Sequence, residues 1–260
     1  MKIKEEALLK EFLEEKYHLY NKKDFIESDP ISIPHLLTRN EDIEVAGFLA
    51  ATIAWGNRKS IIKNAAKLML MMDLAPRDFI ANATSRDLVS FKKFVHRTFN
   101  GDDCVFFIQS LQNIYKEHDS LEELFSEGIK EEESIKNGII TFRNAFLKLP
   151  HPKRLEKHIS DPGRGSSAKR LCMYLRWMVR DNKSGVDFGI WKNIKSSQLC
   201  LPLDVHTGNV SRSLGLLNRK QDDWRSVEEL TTVLKKFDPN DPVKYDFALF
   251  GLGAFEKFPK

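Results

Sequence analysis

Two short stretches of this sequence carry residue types whose spacing could do chemistry. The first is Asp161-Pro-Gly-Arg-Gly-Ser-Ser-Ala-Lys169. Two glycines around one residue, opening a helix, leave backbone N–H groups free to point at an anion, and a phosphate is the obvious one. Lys169 stands at the start of that helix, next to Arg170. The positive end of the helix dipole and the neighbouring guanidinium both disfavour a further positive charge there, which suits an amine nucleophile. The second stretch is Leu201-Pro-Leu-Asp204-Val-His206. It sets an aspartate between apolar residues in front of a helix, where a carboxylate can stabilise a developing cation. The same residues also meet plainer needs: a flexible turn after Pro162, a solvated lysine on a basic helix, and a helix cap at Asp204. No second histidine or carboxylate lies at metal-ligand spacing from His206, so no metal site is expected.

The elements that must position these residues read as helices. Leu8, Leu9, Phe12, Leu13 and Tyr17 recur at three- and four-residue steps, which predicts an opening amphipathic helix. Asp29-Pro30 and Ile33-Pro34 mark a loop. Asn40 is read as the cap of a helix with Ile43, Ala46, Gly47, Ala50, Ala51 and Ala54 on one face. Further helices are predicted over 60–72, 87–94, 104–118, 121–127 and 134–147. Pro150, Pro152 and Pro162 then break the chain. A strong helix follows over 168–180. Its apolar face holds Ala168, Leu171, Cys172, Leu175, Met178 and Val179, while Lys169, Arg176 and Arg180 share another face. A short helix is predicted over 187–194 and others over 205–214, 226–237 and 242–249, with Ser226 and Glu229 forming a capping box. No run alternates strictly over four to eight residues, so the chain reads as all-α.

Composition bounds the rest. The 260 residues suit one domain or two interlocked halves, and a 30% charged fraction with 10% aromatics excludes global disorder. Cys104, Cys172 and Cys200 form no disulfide framework and no CxxC, so a zinc ribbon or a four-thiolate iron–sulfur cluster is excluded within the chain. No targeting segment or membrane span is read, and a reducing cytoplasmic setting is expected. The net charge of +4 conceals an asymmetry: residues 151–225 hold 15 Lys and Arg against 7 Asp and Glu, whereas 116–134 hold eight acidic and two basic residues. A basic segment of this kind suits a phosphate backbone or is ordinary charge scatter.

The segment Leu201-Pro-Leu-Asp-Val-His-Thr-Gly-Asn-Val-Ser-Arg-Ser-Leu-Gly-Leu216 resembles the helix–hairpin–helix DNA glycosylases, where a Pro-x-Asp-x-His run precedes an Arg and a Leu-Gly. In that superfamily a hairpin with a Gly-x-Gly turn and a catalytic lysine lies upstream, as Gly163, Gly165 and Lys169 do here. Residues 44–67, with Ala50-Ala-Thr-Ile-Ala-Trp-Gly-Asn57, look like its early helix pair, whose loop carries a residue that reaches into DNA. The whole chain resembles more closely a conserved bacterial family of about this length. The motifs are Lys169-Arg-Leu-x-Met-Tyr-Leu-Arg-Trp-Met-Val-Arg180 and Asp241-Pro-Val-Lys-Tyr-Asp-Phe-Ala-Leu-Phe-Gly-Leu-Gly253. The same motifs are similar to those of the archaeal 8-oxoguanine glycosylases. Two departures stand out. Arg164 occupies the usual apolar position between the glycines, and an ungapped hairpin alignment sets Ser167, rather than Lys169, at the lysine position.

The resemblance implies two helical half-domains with a helix–hairpin–helix element at about 158–180 and a cleft between the halves. Residues 36–199 would form the central half, and 1–35 with 200–260 the other. It implies a base-excision DNA glycosylase with AP lyase activity, acting on a damaged base such as an oxidised purine. Lys169 would be the nucleophile, and Asp204 the carboxylate that steadies the sugar cation. Gly163, Arg164, Gly165, Ser166, Ser167, Asn57 and Arg58 would meet DNA, and Trp55 or Asn57 would fill the gap left in the duplex. A flipped base needs a pocket of aromatic or apolar groups, for which Trp55, Tyr174, Trp177 and Phe250 are available. No cofactor is implied; the partner is double-stranded DNA and the expected state a monomer. Two other readings stay open: a non-catalytic helix–hairpin–helix DNA-binding protein, which needs neither Lys169 nor Asp204, and a helical protein with a nucleotide or RNA substrate.

Overall fold

The computed structural model describes residues 3–132, 134–181 and 184–259. Its helices are α1 (Ile3–Tyr20), α2 (Asp24–Glu27), α3 (Asn40–Thr52), α4 (Arg58–Met71), α5 (Pro76–Asn82), α6 (Gly101–Ile114), α7 (Leu121–Glu132), α8 (Ile135–Phe146), α9 (Lys169–Val179), α10 (Val205–Ser213), α11 (Trp224–Phe237) and α12 (Tyr245–Ala254), joined by short 3-10 turns. Among the described residues there is no β-strand, only two isolated bridges, His96 with Phe99 and Ser166 with Asp223. The fold is all-α. No helix among the described residues is long and apolar enough to cross a membrane.

The chain divides into two compact units, Ile26–Ser160 and Met1–Phe25 with Asp161–Lys260. The boundaries thus fall at 25/26 and 160/161, and the Gly163–Gly165 turn and Lys169 belong with the two ends of the chain instead of the middle. The physical reason lies in α9, whose charged face finds its partners in Asp187, Asp204, Asp241 and Asp246 further along the chain and in Tyr17 of α1.

The unit 26–160 is built around α3. That helix has no polar side: Val45, Ala46, Phe48, Leu49, Ala50 and Ala51 are all buried, as expected for a helix enclosed on every face. Phe48 stacks on Phe107 at 5.9 Å and meets Phe142 edge-on at 5.3 Å. Phe142 in turn stacks on Phe125 at 4.4 Å, which extends one aromatic core across α3, α6, α7 and α8. The buried Glu44 carboxylate accepts from Tyr115 Oη at 2.7 Å and from the Leu121 amide at 3.0 Å, so this buried charge is hydrogen-bonded. Helices α7 and α8 approach closely through two glycines. A Cβ on Gly138 would stand 2.7 Å from the Phe125 carbonyl oxygen, and one on Gly128 2.6 Å from that of Asn137.

The other unit packs α12 against α1 and α10. Helix α12 is apolar nearly all round, with Phe247, Ala248, Leu249 and Leu252 buried. Its contact with α1 is polar at the rim: Tyr245 Oη donates to Glu14 at 2.6 Å, Lys244 pairs with Glu14 at 2.8 Å, and Lys16 pairs with Glu256 at 2.8 Å.

Several local expectations change. The 87–94 segment is a 3-10 stretch, Asp87–Lys93, and 187–194 contains no helix. Helix α5, started by Pro76, has no counterpart among the helices expected from periodicity. Asn40 is the first helical residue and Arg39 the cap. Asn57, in contrast, caps α4 by accepting from the Ser60 amide at 3.2 Å. Helix α11 is capped by Asp223, which accepts from the Ser226 amide at 3.1 Å, while Glu229 accepts from the Asn218 amide at 2.7 Å; the expected Ser226–Glu229 box is therefore not formed. Sequence pattern fixes where a helix exists better than which nearby polar side chain caps it, because several candidates lie within one turn.

Two substitutions test this core. Phe48→Ala should cost about 3–5 kcal/mol, the scale for deleting a fully buried aromatic. Gly138→Ala should cost about 1–3 kcal/mol because the added methyl forces α7 and α8 apart. Urea unfolding monitored by circular dichroism reads both. A Gly138→Ala protein as stable as wild type would show that the helices separate freely.

Candidate functional site

The turn before α9 is a built structure. Asp161 caps the 3-10 turn Pro162–Arg164 by accepting from the Arg164 amide at 3.2 Å. Gly165 follows at φ +90°, a left-handed conformation that favours glycine. Ser166, next in the chain, bridges to Asp223, and the Trp224 amide donates to the Gly165 carbonyl at 3.0 Å, so the turn is fastened to the start of α11. Gly163, Arg164, Gly165 and Ser166 are exposed and Ser167 is half-buried. The Arg164 side chain is 78% exposed, with Nε 3.5 Å from Asp161 Oδ2.

Ala168 turns left-handed at φ 47° and releases the chain into α9 with Lys169 as its first residue. Lys169 Nζ lies 2.8 Å from Asp204 Oδ2, with the two side chains 30% and 18% exposed. Asp204 is the N-cap of α10, and its other oxygen, Oδ1, accepts from the Thr207 amide at 3.0 Å. One carboxylate therefore serves two helix starts: it caps α10 and neutralises the first residue of α9. Buried Leu201, Pro202 and Leu203 lead into it, and the Leu201 amide is held by Thr231 Oγ1 at 3.1 Å. Burial pushes the Asp204 carboxyl up, but the Lys169 charge and hydrogen bond, the Thr207 amide and His206 outweigh it. The net shift is downward, and Asp204 is ionised at neutral pH.

Behind this pair lies a second charged layer. Arg176 and Arg180, which share a face of α9 with Lys169, are 3% and 1% exposed. The expected basic face is thus an internal one. Arg176 Nη1 lies 2.5 Å from Asp246 Oδ2 on α12, and its Nη2 lies 3.3 Å from Asp187 Oδ1. Arg180 meets Asp187 at 3.1 Å and Asp241 at 2.7 Å, and donates to Tyr17 Oη at 2.8 Å. The Arg176 guanidinium also sits over the Phe247 ring at 4.3 Å. Burial raises the Asp246 carboxyl to about 6; Arg176 and Lys169 oppose that rise, and Asp204 and Asp187 add to it. Asp187 reaches both arginines because 187–194 is not helical. The Phe188 and Trp191 amides donate to the Trp177 and Met178 carbonyls at 2.8 and 3.0 Å, which runs the segment back along α9.

The other expected residues take no part in this centre. Tyr174 and Trp177 are 0% exposed and are core side chains, so neither offers a surface to a base. Tyr174 packs edge-on against Trp191 at 5.4 Å. Phe250 is half-buried against Phe25 and Phe255. Trp55, Asn57 and Arg58 belong to the unit 26–160, where Trp55 packs on the rings of His96 and His158 at 5.1 and 5.7 Å. The thiols are not rival nucleophiles: burial raises Cys200 to about 11, Cys104 to about 12, and Cys172 well above its ordinary value. His118, Glu123 and Glu127 offer donor atoms within 4.8 Å of one another, but both glutamates are exposed and Glu123 already accepts the Asp119 amide at 2.9 Å. On the outer side of α10, His206, Asn209, Arg212 and Ser213 line an open recess of about 470 Å³ together with Gly253 and Lys257.

Sequence reasoning assigned no role to Asp187 or Asp246. Asp246 did carry a signal, since an aspartate inside the apolar run Tyr-Asp-Phe-Ala-Leu-Phe must be paired if it is buried. Asp187 carried none, because its loop position became meaningful only once the chain folded back along α9.

A family model described as "Protein of unknown function (DUF2400)" matches residues 29–255. No curated protein matches the chain. No solved structure matches it either.

The raised Asp246 carboxyl sets a pH dependence of stability. Its folded value of about 6 lies above the ordinary 3.8, so the group favours folding most when protonated and loses that contribution as pH rises through about 6. Relative to Asp246→Asn, wild-type stability should decline between pH 4 and 6 and level off above. Urea unfolding of both proteins across that range reads the difference. A constant difference would mean that Asp246 is ionised throughout.

Proposed function

We propose that this chain, which belongs to the DUF2400 family, is a DNA base-excision enzyme in which Lys169 and Asp204 cleave an N-glycosidic bond. The observation that carries this reading is the 2.8 Å contact between Lys169 Nζ and an ionised, half-buried Asp204 at adjoining helix starts. The likeness of the Gly163–Lys169 and Pro202–His206 segments to helix–hairpin–helix glycosylases supports the same assignment. So does the register: Lys169, two residues beyond Ser167, is the side chain in contact with Asp204.

The chemistry follows from the pair. As the C1′–N bond breaks, its electron pair leaves with the base, and positive charge builds on the sugar. Asp204 is a fixed carboxylate facing that charge, and its value is greatest in the transition state. Lys169 passes a proton to the departing base and closes its lone pair on C1′. Opening of the sugar ring then gives an iminium, and loss of a C2′ proton expels the 3′ phosphate. The Arg164, Gly165 and Ser166 amides are spent on Asp161 and Pro162, so the turn offers a phosphate the exposed Arg164 side chain and the open space around Gly165 instead of the free N–H groups expected of a Gly-x-Gly turn, and the recess beside α10 adds His206, Arg212 and Lys257 on the same unit. The proposed substrate is an oxidised purine in duplex DNA.

A second reading has its own observation. The Asp204 carboxylate is fully occupied by a helix cap and an ion pair, which is what a purely architectural junction in a DNA-binding protein needs.

Borohydride trapping separates the two. On a duplex with an abasic or oxidised-guanine site, wild type should give a covalent adduct and Lys169→Gln none. Asp204→Asn, whose amide oxygen can still cap α10, should keep its melting temperature and DNA affinity while excision falls by about two orders of magnitude. Absence of both product and adduct with wild type on these duplexes overturns the enzyme reading, and wild-type excision by Asp204→Asn removes Asp204 from the chemistry. Unfolding by Asp204→Asn with an active folded remainder leaves Asp204 as a cap alone.

A further inference from the structure

The other unit carries a basic surface that neither the Lys169–Asp204 pair nor the Gly163–Ser166 turn accounts for. Helix α4 presents Lys59, Lys63 and Lys67 at four-residue steps, all exposed. One helical turn apart, they form a row with a spacing of roughly 6 Å. The loop–bridge segment after the Asp87–Lys93 turn lies against the same helix. Asn64 Nδ2 and His96 Nδ1 are 2.9 Å apart, Lys67 Nζ is 6.0 Å from the Phe94 ring centre, and the Arg97 side chain packs on Gly56 just before α4. These contacts bring the exposed Lys92, Lys93 and Arg97 to the flank of the row. No Asp or Glu occurs from 56 to 72 or from 88 to 101. Some exposed cations elsewhere are paired, as Arg39 is with Asp78 and Lys148 with Glu117, and others, such as Lys10, Lys235 and Lys236, stand singly or in twos instead of in a row. Lys59, Lys63, Lys67, Lys92, Lys93 and Arg97 have no carboxylate partner among the described residues.

We propose that the row Lys59, Lys63 and Lys67, flanked by Lys92, Lys93 and Arg97, is a docking surface for the phosphate backbone of a nucleic acid. A strand presents one phosphate per roughly 3.4 Å of axis, so lysines about 6 Å apart can meet alternate phosphates. An anionic lipid surface is a poorer fit. A helix that lies in a membrane inserts an apolar face, whereas the apolar face of α4, Ile61, Ala65, Leu68 and Met69, is buried in its own unit. This surface reads no sequence; it supplies position and affinity. It is independent of the excision chemistry and stands or falls separately from it.

The test uses the full chain and an undamaged 25-mer duplex, with fluorescence anisotropy across a salt series. Lys59→Ala, Lys63→Ala and Lys67→Ala together should weaken binding about tenfold or more at low salt. They should also flatten the slope of log K against log salt by about 2 to 3, roughly one for each phosphate no longer neutralised. A control triple at exposed lysines of the other unit, Lys10→Ala, Lys235→Ala and Lys236→Ala, should retain the wild-type slope. An unchanged slope in the first triple, or an equal loss in the control, overturns the proposal. So does stripe-dependent binding to phosphatidylserine vesicles with none to the duplex. Trapping with Lys169 intact reports the excision reading apart from this one: stripe-dependent binding without any adduct keeps the surface and removes the enzyme.

Discussion

Two guanidinium groups buried in an apolar interior set the terms for the unit that contains Lys169. Arg176 and Arg180 are almost wholly enclosed, and an arginine in that state must have its donors and its charge satisfied. Asp187, Asp241 and Asp246 balance the charge and take up most of the donors from a loop, a turn and α12, and Tyr17 adds a hydroxyl from α1, while Arg176 Nε has no hydrogen-bond partner among the described residues. Every element of the unit that touches this network is thereby held in one register. Replacing one partner would leave a charge stranded, which costs far more than the intact network contributes. Three carboxylates against two guanidinia also leave a surplus of negative charge. Its effect is visible in the upward shifts of Asp241 and Asp246, where burial is the largest cause and neighbouring aspartates add to it.

The Lys169–Asp204 pair sits at the outer end of that network. It is drawn together by the ends of two helices: the start of α9 brings an ammonium, and the start of α10 needs an oxygen for its free amides. The same arrangement that makes a sound junction also leaves an amine and a carboxylate side by side near the surface, with a glycine turn four residues before the amine. Asp204 has a downward shift and Asp246 an upward one, so two aspartates of one unit differ in charge state around mildly acidic pH. Environments that push neighbouring carboxyls apart are a common property of reactive sites.

Positive charge is used in two distinct ways along the chain. In the segment 151–225 the linear excess of Lys and Arg suggests an open basic face, yet two of its arginines point inward and are neutralised. On α4 and the 92–97 segment the cations stand in two separate stretches free of Asp and Glu, and folding brings six of them, with no carboxylate partner among the described residues, to one side. Net charge per segment is therefore a poor guide to surface potential wherever long-range carboxylates intervene.

The helical class is legible in the residues alone, because apolar side chains recur at the helical period in nearly every segment and alternate in none. So are the two chemical stretches, since Gly165 at positive φ and Asp204 as the cap of α10 are local demands met by the residues themselves. Local signals failed where two polar candidates compete within a turn, as at Asn40 and Ser226, and where a 3-10 stretch replaced an α-helix at Asp87–Lys93. Long-range packing, and no local pattern, makes Tyr174 and Trp177 core, turns Arg176 and Arg180 inward and sets Asp187 and Asp246 behind Lys169. These outcomes depend on contacts between residues up to 163 positions apart. Periodicity records which face of a helix is apolar; it holds no record of the distant carboxylate that lets a charged face be buried as well.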